Sequence, residues 1–184
     1  MAMLVLLLAV IIGGLLFFAV LYNRLVSLKL QFTNAWAQIE VQLKRRYDLI
    51  PNLVEVAKGY MAHEKQTLEN VIKARTQATQ AVSIKDKAQA ENLITSSLRS
   101  LFAVAENYPN LKADQTMLKL QEELTTTENR ISFARQYYND QVMLYNTAVK
   151  SIPTNFVAQL ANFKETESFE IEDVAQRQAP SVKF

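Results

Sequence analysis

The sequence predicts an all-α fold in which a single N-terminal transmembrane helix runs into an antiparallel bundle of about four long helices, followed by an extended C-terminal tail. The chain has only 3 glycines and 4 prolines in 184 residues, too few for the many turns of a sheet protein. No charged side chain occurs before Asn23. Further along, apolar residues recur at steps of three and four, as in helices that bury one face.

The N-terminal segment predicts the membrane anchor. Residues 2–22 are uncharged and nearly all apolar, and as a helix they would extend about 31 Å, enough to cross a hydrocarbon core of roughly 30 Å. The basic start and small-residue exit of a secretory signal peptide are missing. We therefore expect an uncleaved anchor at residues 1–22, a soluble helical bundle at 23–163 and the tail at 164–184.

The flanks of this segment predict its orientation. Arg24 and Lys29 follow it, and no basic side chain precedes it. The positive-inside rule therefore places the N-terminus outside and the soluble part in the cytoplasm.

Small residues within the anchor predict self-association. Ala9 and Gly13 lie four residues apart and Gly14 adjoins them, and such spacing lets two membrane helices approach closely. The alternative is that these are ordinary residues of a membrane helix.

The first soluble helix is predicted by apolar residues that recur from Leu25 to Ala57 without a break before Pro51. Pro51 should kink this helix or restart it, and Gly59 is a second weak point. A helical pattern continues through 63–82. Ser83 and Asp86 then fit a capping box for a third helix, which should end near Tyr108-Pro109.

The second half of the soluble part begins with the clearest loop, residues 107–114, in which Asn110 and Asp114 are both candidate N-caps. The strongest heptad pattern follows, from Met117 to Ala148, and it should end by Ile152-Pro153. A short last helix is expected over 155–163, capped by Thr154-Asn155. The tail should be extended and should dock on the bundle or on a neighbouring subunit through Phe169, Ile171, Val174, Val182 and Phe184.

The composition argues against several chemistries. The chain has no cysteine and one histidine, which excludes disulfides, thiolate sites and multi-histidine metal sites. His63 lacks the spacing of a di-iron or zinc motif, and we interpret it as a surface or helix-end residue. The adjacent carboxylates Glu122 and Glu123 would point away from each other on a helix. We therefore expect no catalytic residue, metal or cofactor, and the net charge of +2 gives no case for nucleic acid.

Two sets of polar residues can each be interpreted in two ways. Lys44-Arg45-Arg46 would contact lipid or phosphate, or else pair with acidic residues of a neighbouring helix such as Glu40 or Glu128. Residue 44 would lie about 33 Å beyond residue 22 along a straight helix, which favours pairing. Several asparagines beside tyrosines would build an internal hydrogen-bond network or line a polar pocket for a peptide or ligand; they are Asn52, Asn107, Asn129, Asn139 and Asn146.

Four segments of the sequence, taken together, resemble those of a known protein family. They are Arg45–Val54 with Lys58–Tyr60, then Tyr108–Ala113, then the stretch from Leu120 to Asn146, and finally Pro153–Asn155. In this order and spacing the chain resembles the LemA family of bacterial membrane proteins over nearly its whole length, although Tyr47 stands where a more polar residue is expected. The candidate structural or interaction residues that match are Arg45, Arg46, Asp48, Pro51, Asn52, Gly59, Tyr108, Pro109, Asn129, Arg130, Arg135, Tyr138, Asn139, Tyr145 and Asn146.

The resemblance implies one N-terminal membrane helix, a soluble antiparallel helical bundle and an N-outside orientation, hence the bacterial inner (cytoplasmic) membrane. It implies no established enzymatic activity. Magnetosome-associated proteins also resemble this family, which fits a membrane-organising role.

From residues and resemblance together we expect a non-enzymatic scaffold or interaction protein. It would be anchored in the lipid bilayer, would assemble into a homo-oligomer, and would recruit unidentified protein partners. The alternative is a sensory or peptide- or ligand-binding helical module that signals to a partner, and a membrane enzyme is a third reading.

Overall fold

A computed structural model describes residues 1–170. This part of the chain contains six helices and no strand, which confirms the all-α prediction. The helices are α1 Ala2–Tyr60, α2 Lys65–Gln80, α3 Ile84–Ala105, α4 Pro109–Lys112, α5 Gln115–Lys150 and α6 Thr154–Leu160. The tail residues Ile171, Val174, Val182 and Phe184, which were expected to dock, lie outside the described residues.

The chain divides into two compact units. Unit 1 comprises Met1–Ile39 and Ala134–Ser168, and unit 2 comprises Glu40–Phe133 with the described residues from Phe169 onward. Helices α1 and α5 therefore each contribute to both units.

Contacts within unit 2 define the relative directions of α1, α3 and α5. Tyr60 of α1 bonds Asp114 at the start of α5, whereas the earlier Arg45 meets the later Glu123, so α1 and α5 are antiparallel. Lys87 and Thr95 of α3 meet Glu40 and Arg46 of α1 respectively, so α3 runs parallel to α1. The apolar stripes of the helices in unit 2 form the core, which includes Leu43, Ile50, Leu53, Leu68, Val71, Ile94, Leu98, Leu101, Leu111 and Leu124.

Unit 1 joins the first part of α1 to the last part of α5. The rings of Phe32 and Tyr145 lie 4.9 Å apart between centroids, and those of Trp36 and Tyr138 lie 5.3 Å apart. The later residue of α1 thus meets the earlier residue of α5, which makes this pair antiparallel as well. Such tilted aromatic pairs stabilise a core beyond the area that they bury.

The first turns of α1 are uncovered. Every residue from Ala2 to Val20 is exposed, and α1 is long and apolar enough to cross a membrane. An apolar helical surface of this length is unfavourable in water, whereas a bilayer accommodates it. The protein therefore has an N-terminal helix suited to the membrane.

The sequence allowed a kink or a restart at Pro51, and the helix does not restart there, since α1 continues through it to Tyr60. Proline has no backbone N–H, so the carbonyl of Tyr47, four residues earlier, loses its usual partner. Arg75 of α2 supplies a substitute, because its Nε donates to the Tyr47 oxygen at 2.7 Å. A side chain from the neighbouring helix thus satisfies the acceptor that Pro51 leaves open.

Replacing Arg75 with methionine is expected to lower the free energy of unfolding by about 1.5–3 kcal/mol, because a charged hydrogen bond to a half-buried carbonyl is lost. In a Pro51→Ala background the backbone N–H of residue 51 returns, and the same replacement should have a smaller effect. Chemical denaturation of the four chains of this double-mutant cycle measures the coupling. An equal loss in both backgrounds would show that Arg75 does not compensate for the proline.

Two predicted helix starts are confirmed. The Ser83 hydroxyl accepts from the Asp86 N–H at 3.0 Å, as a capping box requires. Asp114 Oδ1 accepts from the N–H groups of Thr116 and Met117 at 2.8 and 2.9 Å, and so it caps α5.

Three other details of the prediction are wrong. The loop at 107–114 contains a helical turn, α4, which Pro109 starts because its fixed φ suits the first helical position; Asn110 lies inside this turn and is not a cap. The last helix has Pro153 at its N-cap position, without a side-chain bond, instead of a Thr154-Asn155 cap. It ends at Leu160 rather than residue 163, shortly before Asn162 adopts a positive φ of 57°, which is incompatible with a continuing helix.

Candidate functional site

A buried ion pair lies at the centre of unit 2. Arg46 of α1 is 3% exposed and Glu91 of α3 is fully buried, and Nη1 of Arg46 lies 3.1 Å from Oε2 of Glu91. The same nitrogen lies 2.9 Å from Oε2 of Glu128 on α5. Nη2 donates to the Thr95 hydroxyl at 2.9 Å. One guanidinium therefore joins three helices.

The helical period explains why these charges are buried. Arg46 follows Leu43 by three residues and precedes Ile50 by four, so it lies on the buried face of α1. Glu91 occupies the equivalent place on α3, three residues after Ala88 and three before Ile94. The pairing of the basic run with Glu128 was expected and is confirmed. Glu91 was missed, and the signal that could have revealed it is a carboxylate within an apolar stripe.

The rest of the basic run makes surface contacts. Arg45 lies 3.5 Å from Glu123 and Lys44 lies 2.8 Å from Asp48, and all four side chains are exposed. Glu40 pairs with Lys87 of α3 instead of with the run, so that expected pairing is wrong. Glu40 precedes the basic run 44–46 by four or more residues on α1, and it lies beside Lys87 of α3.

Tyr47 completes the buried group, because its hydroxyl donates to Oε1 of Glu91. Burial raises the pKa of Tyr47, and the Glu91 carboxylate raises it further. Burial also raises the pKa of Glu91 above its ordinary value of 4.5, although the Tyr47 hydroxyl and Arg46 act in the opposite direction. The tyrosine that departs from the expected family pattern thus supplies a donor to the buried glutamate.

The raised pKa of Glu91 predicts a pH dependence of stability. Because the folded chain holds this proton more tightly than the unfolded chain, the stabilisation is fully present below the unfolded pKa and is lost as pH rises through the folded pKa. The stability advantage of the native chain over the Glu91→Gln variant should therefore shrink as pH rises above about 4, the ordinary range of a glutamate carboxyl. Chemical denaturation across this range measures it, and an advantage that stays constant or grows with pH would contradict the assignment.

An open cavity of about 290 Å³ adjoins this network. Leu98, Phe102 and Leu124 provide much of its apolar lining, and Arg99 adds an exposed cation; the other lining residues are Arg46, Thr95, Thr125, Glu128 and Asn129. A cavity with apolar lining and an exposed arginine suits a small amphipathic anion better than a metal. Within residues 1–170, no group of three His, Cys, Asp or Glu side chains is placed to hold a metal ion.

A second polar cluster lies in unit 1, where α5 holds the start of the tail. The hydroxyls of Tyr145 and Tyr138 donate to the backbone oxygens of Lys164 and Glu167, each at 2.9 Å. Asn146 bonds Thr166 twice, accepting from its N–H at 3.0 Å and donating to its oxygen at 2.9 Å. The expected hydrogen-bond network thus exists for these residues, but its partner is the main chain of the tail and not another helix.

Replacing Asn146 with alanine is expected to lower the free energy of unfolding by about 1–3 kcal/mol, since two half-buried backbone groups of Thr166 lose their partner. Amide hydrogen exchange should accelerate at Thr166. The Tyr145→Phe variant is the matched control, because it removes one hydroxyl from the same face and leaves the Asn146 contact intact. Unchanged exchange at Thr166 in the alanine variant would contradict the contact.

The other candidate residues predicted from the sequence do not form a common site. The Tyr108 hydroxyl donates to Glu64 at 3.1 Å, and Asn129 borders the cavity. Arg135 and Asn139 are half-buried in unit 1. His63 is exposed, as expected of a surface residue. The others are exposed; Asn52, Gly59, Pro109 and Arg130 lie on helices, and Asn107 lies in the turn between α3 and α4.

Comparison with known proteins shows which family and which relatives the chain is similar to. The model of the LemA family matches residues 35–184. The chain is 24% identical over 175 residues to magnetosome protein MamQ 2 of Paramagnetospirillum magneticum, which covers 81% of this chain and 64% of the relative. It is 24% identical over 174 residues to magnetosome protein MamQ of Magnetospirillum gryphiswaldense, covering 80% and 64%. Protein LemA of Metamycoplasma hominis is 24% identical over 153 residues, covering 83% and 70%.

The chain thus spans just under two thirds of the length of its magnetosome relatives. The uncovered apolar helix and the family match together indicate a membrane-associated helical protein. Since the family model extends over most of the sequence, the chain belongs to the LemA family.

Proposed function

We propose that the protein is a non-enzymatic membrane scaffold, anchored by residues 2–22, which self-assembles and recruits protein partners. The observation that carries the proposal is the uncovered face of the anchor. Ala9 is exposed, and a Cβ atom added at Gly13 or Gly14 would meet no atom within 4 Å outside the adjoining helix backbone. Such a face suits close contact with a second membrane helix.

Two further features support this role. Tyr137 and Leu144, seven residues apart on α5, are 46% and 49% exposed, and they offer apolar contacts to a partner. The name of the MamQ relatives assigns them to the magnetosome, which fits a structural part in an assembly at a membrane.

Self-assembly is tested by the mass of the full chain in mild detergent, compared with the Gly13→Leu variant. Because nothing in the chain contacts this position, a smaller particle in the variant must reflect lost contact between copies. Leu16→Ile is the matched control, since it keeps both bulk and apolarity. A native chain that is strictly monomeric would refute the assembly proposal.

We further propose that the N-terminus lies outside and the helical domain in the cytoplasm of a bacterial inner membrane. Arg24 and Lys29 beyond the span support this orientation. Reporter fusions to both termini test it, and a cytoplasmic N-terminus would overturn it.

The cavity of unit 2 favours a second candidate function, a ligand-binding module that signals to a partner. Its occupant would be a small molecule or peptide with an anionic group for Arg99 and an apolar part for Phe102. Thermal stabilisation by a panel of fatty acids and acidic peptides tests this candidate. A shift that Thr125→Trp abolishes would support it, and the absence of any shift would count against it.

A further inference from the structure

Helix α6 and the turn before it expose three large apolar side chains. Ile152, Phe156 and Leu160 are 77%, 59% and 79% exposed. Phe156 and Leu160 are four residues apart and share one face of the helix. The buried face of the same helix carries Val157 and Ala158, so α6 is apolar on both sides.

The buried face of α6 fixes the level at which the helix lies. Val157 and Ala158 share an apolar cluster with Leu21 and Leu25 of α1. Leu21 is the penultimate residue of the uncharged stretch 2–22, and Leu25 lies only about 4.5 Å beyond Tyr22 along the helix axis. Within unit 1, α6 therefore packs where α1 leaves its membrane-spanning segment.

The residues around α6 are of the types found where a membrane helix meets the lipid headgroups. The ring of Tyr22 meets that of Phe163 edge-on at 5.7 Å between centroids, and the Lys29 ammonium lies 5.9 Å from the centre of the Phe163 ring. Aromatic rings are enriched at the headgroup level, and lysines near helix ends extend toward it. The exposed apolar face of α6 therefore lies at the depth of the lipid headgroups.

We propose that α6 lies on the bilayer, with Ile152, Phe156 and Leu160 inserted at the boundary between headgroups and acyl chains. The occupant of this face is thus a lipid surface, and continuity with the span is the reason for choosing it over a protein partner. The helix acts as a second membrane contact, which fixes the tilt of unit 1 against the bilayer. This proposal rests on the membrane insertion of residues 2–22.

Single cysteines provide the test, because the native chain has none. Phe156→Cys and Leu160→Cys chains carry an environment-sensitive fluorophore and are placed, one chain per particle, in nanodiscs of phosphatidylcholine and phosphatidylglycerol. We expect a lipid spin-labelled near its headgroup to quench both sites severalfold more than aqueous iodide does. Ile11→Cys reports on the span and should be quenched best by a lipid labelled deep in its chain. Val82→Cys is the aqueous control, since Val82 is 94% exposed between α2 and α3.

The controls separate the two ways in which the proposal fails. If residues 156 and 160 respond to iodide as residue 82 does while residue 11 is quenched by lipid, the span stands and the α6 contact is refuted. If residue 11 also responds to iodide, the membrane insertion itself is refuted, and the α6 contact with it. Protection that appears only with several chains per particle assigns the face to a second copy and overturns the lipid assignment.

Discussion

Replacing Arg46 with alanine is expected to lower the free energy of unfolding of unit 2 by about 3–5 kcal/mol at neutral pH, because it leaves Glu91 buried without its cation. Replacing the adjacent Arg45 should change it by no more than about 1 kcal/mol. Both residues are arginines that pair with a carboxylate. They differ in burial, since Arg46 is 3% exposed and the Arg45 side chain is 45% exposed.

Chemical denaturation of the full chain in nanodiscs, followed by circular dichroism, measures both variants. The loss in the Arg46→Ala chain should become smaller at acidic pH, because Glu91 then takes up a proton and is no longer an unpaired charge. Equal losses of unfolding free energy in the Arg46 and Arg45 variants would show that burial of the Arg46–Glu91 pair does not determine its contribution to stability.

A double variant, Arg46→Met with Glu91→Met, distinguishes the net contribution of the ion pair to stability from the cost of leaving one buried partner unpaired. Buried ion pairs replaced by apolar residues of similar volume are often neutral or stabilising, because two desolvated charges disappear together. We therefore expect the double variant to recover much of the stability that Arg46→Ala loses. If it remains as unstable as the single variant, the contacts of Arg46 with Thr95 and Glu128 matter more than the charge balance with Glu91.

The fold could be predicted from the sequence because its determinants are local. The uncharged stretch 2–22, the capping box at Ser83 and the cap at Asp114 each depend on residues within a few positions of one another. Whether α1 continues through Pro51 or restarts there could not be decided in this way, because the group that satisfies the Tyr47 carbonyl comes from Arg75, 28 residues away.

The candidate site was less predictable, for a similar reason. Arg46 could be matched with Glu128 by charge, whereas Glu91 is marked only by its position within the apolar stripe of α3, between Ala88 and Ile94. Asn146 was expected in a hydrogen-bond network and lies in one, together with Tyr138 and Tyr145. Their acceptors are backbone groups of residues 164–167, and backbone groups carry no signal in a sequence.

Replacing Phe169 with alanine is expected to lower the free energy of unfolding by about 3–5 kcal/mol, because its ring is fully buried and its removal leaves a cavity. For a chain of this size, the melting temperature should fall by on the order of 10 °C. This residue belongs to the tail, which was expected to dock through its apolar side chains, and it is the one of those five that the described residues include. Thermal denaturation in nanodiscs provides the measurement.

Phe133→Ala is the matched control, since Phe133 is the same residue type and is 73% exposed; its replacement should change stability by no more than about 0.5 kcal/mol. A large loss for Phe169 with a small loss for Phe133 would establish that the tail is part of the folded core, so that truncation before residue 169 would damage unit 2. Equal small losses would mean that the ring at 169 leaves its buried position in solution, and the tail would then be free for the neighbouring-subunit docking that the sequence also allows.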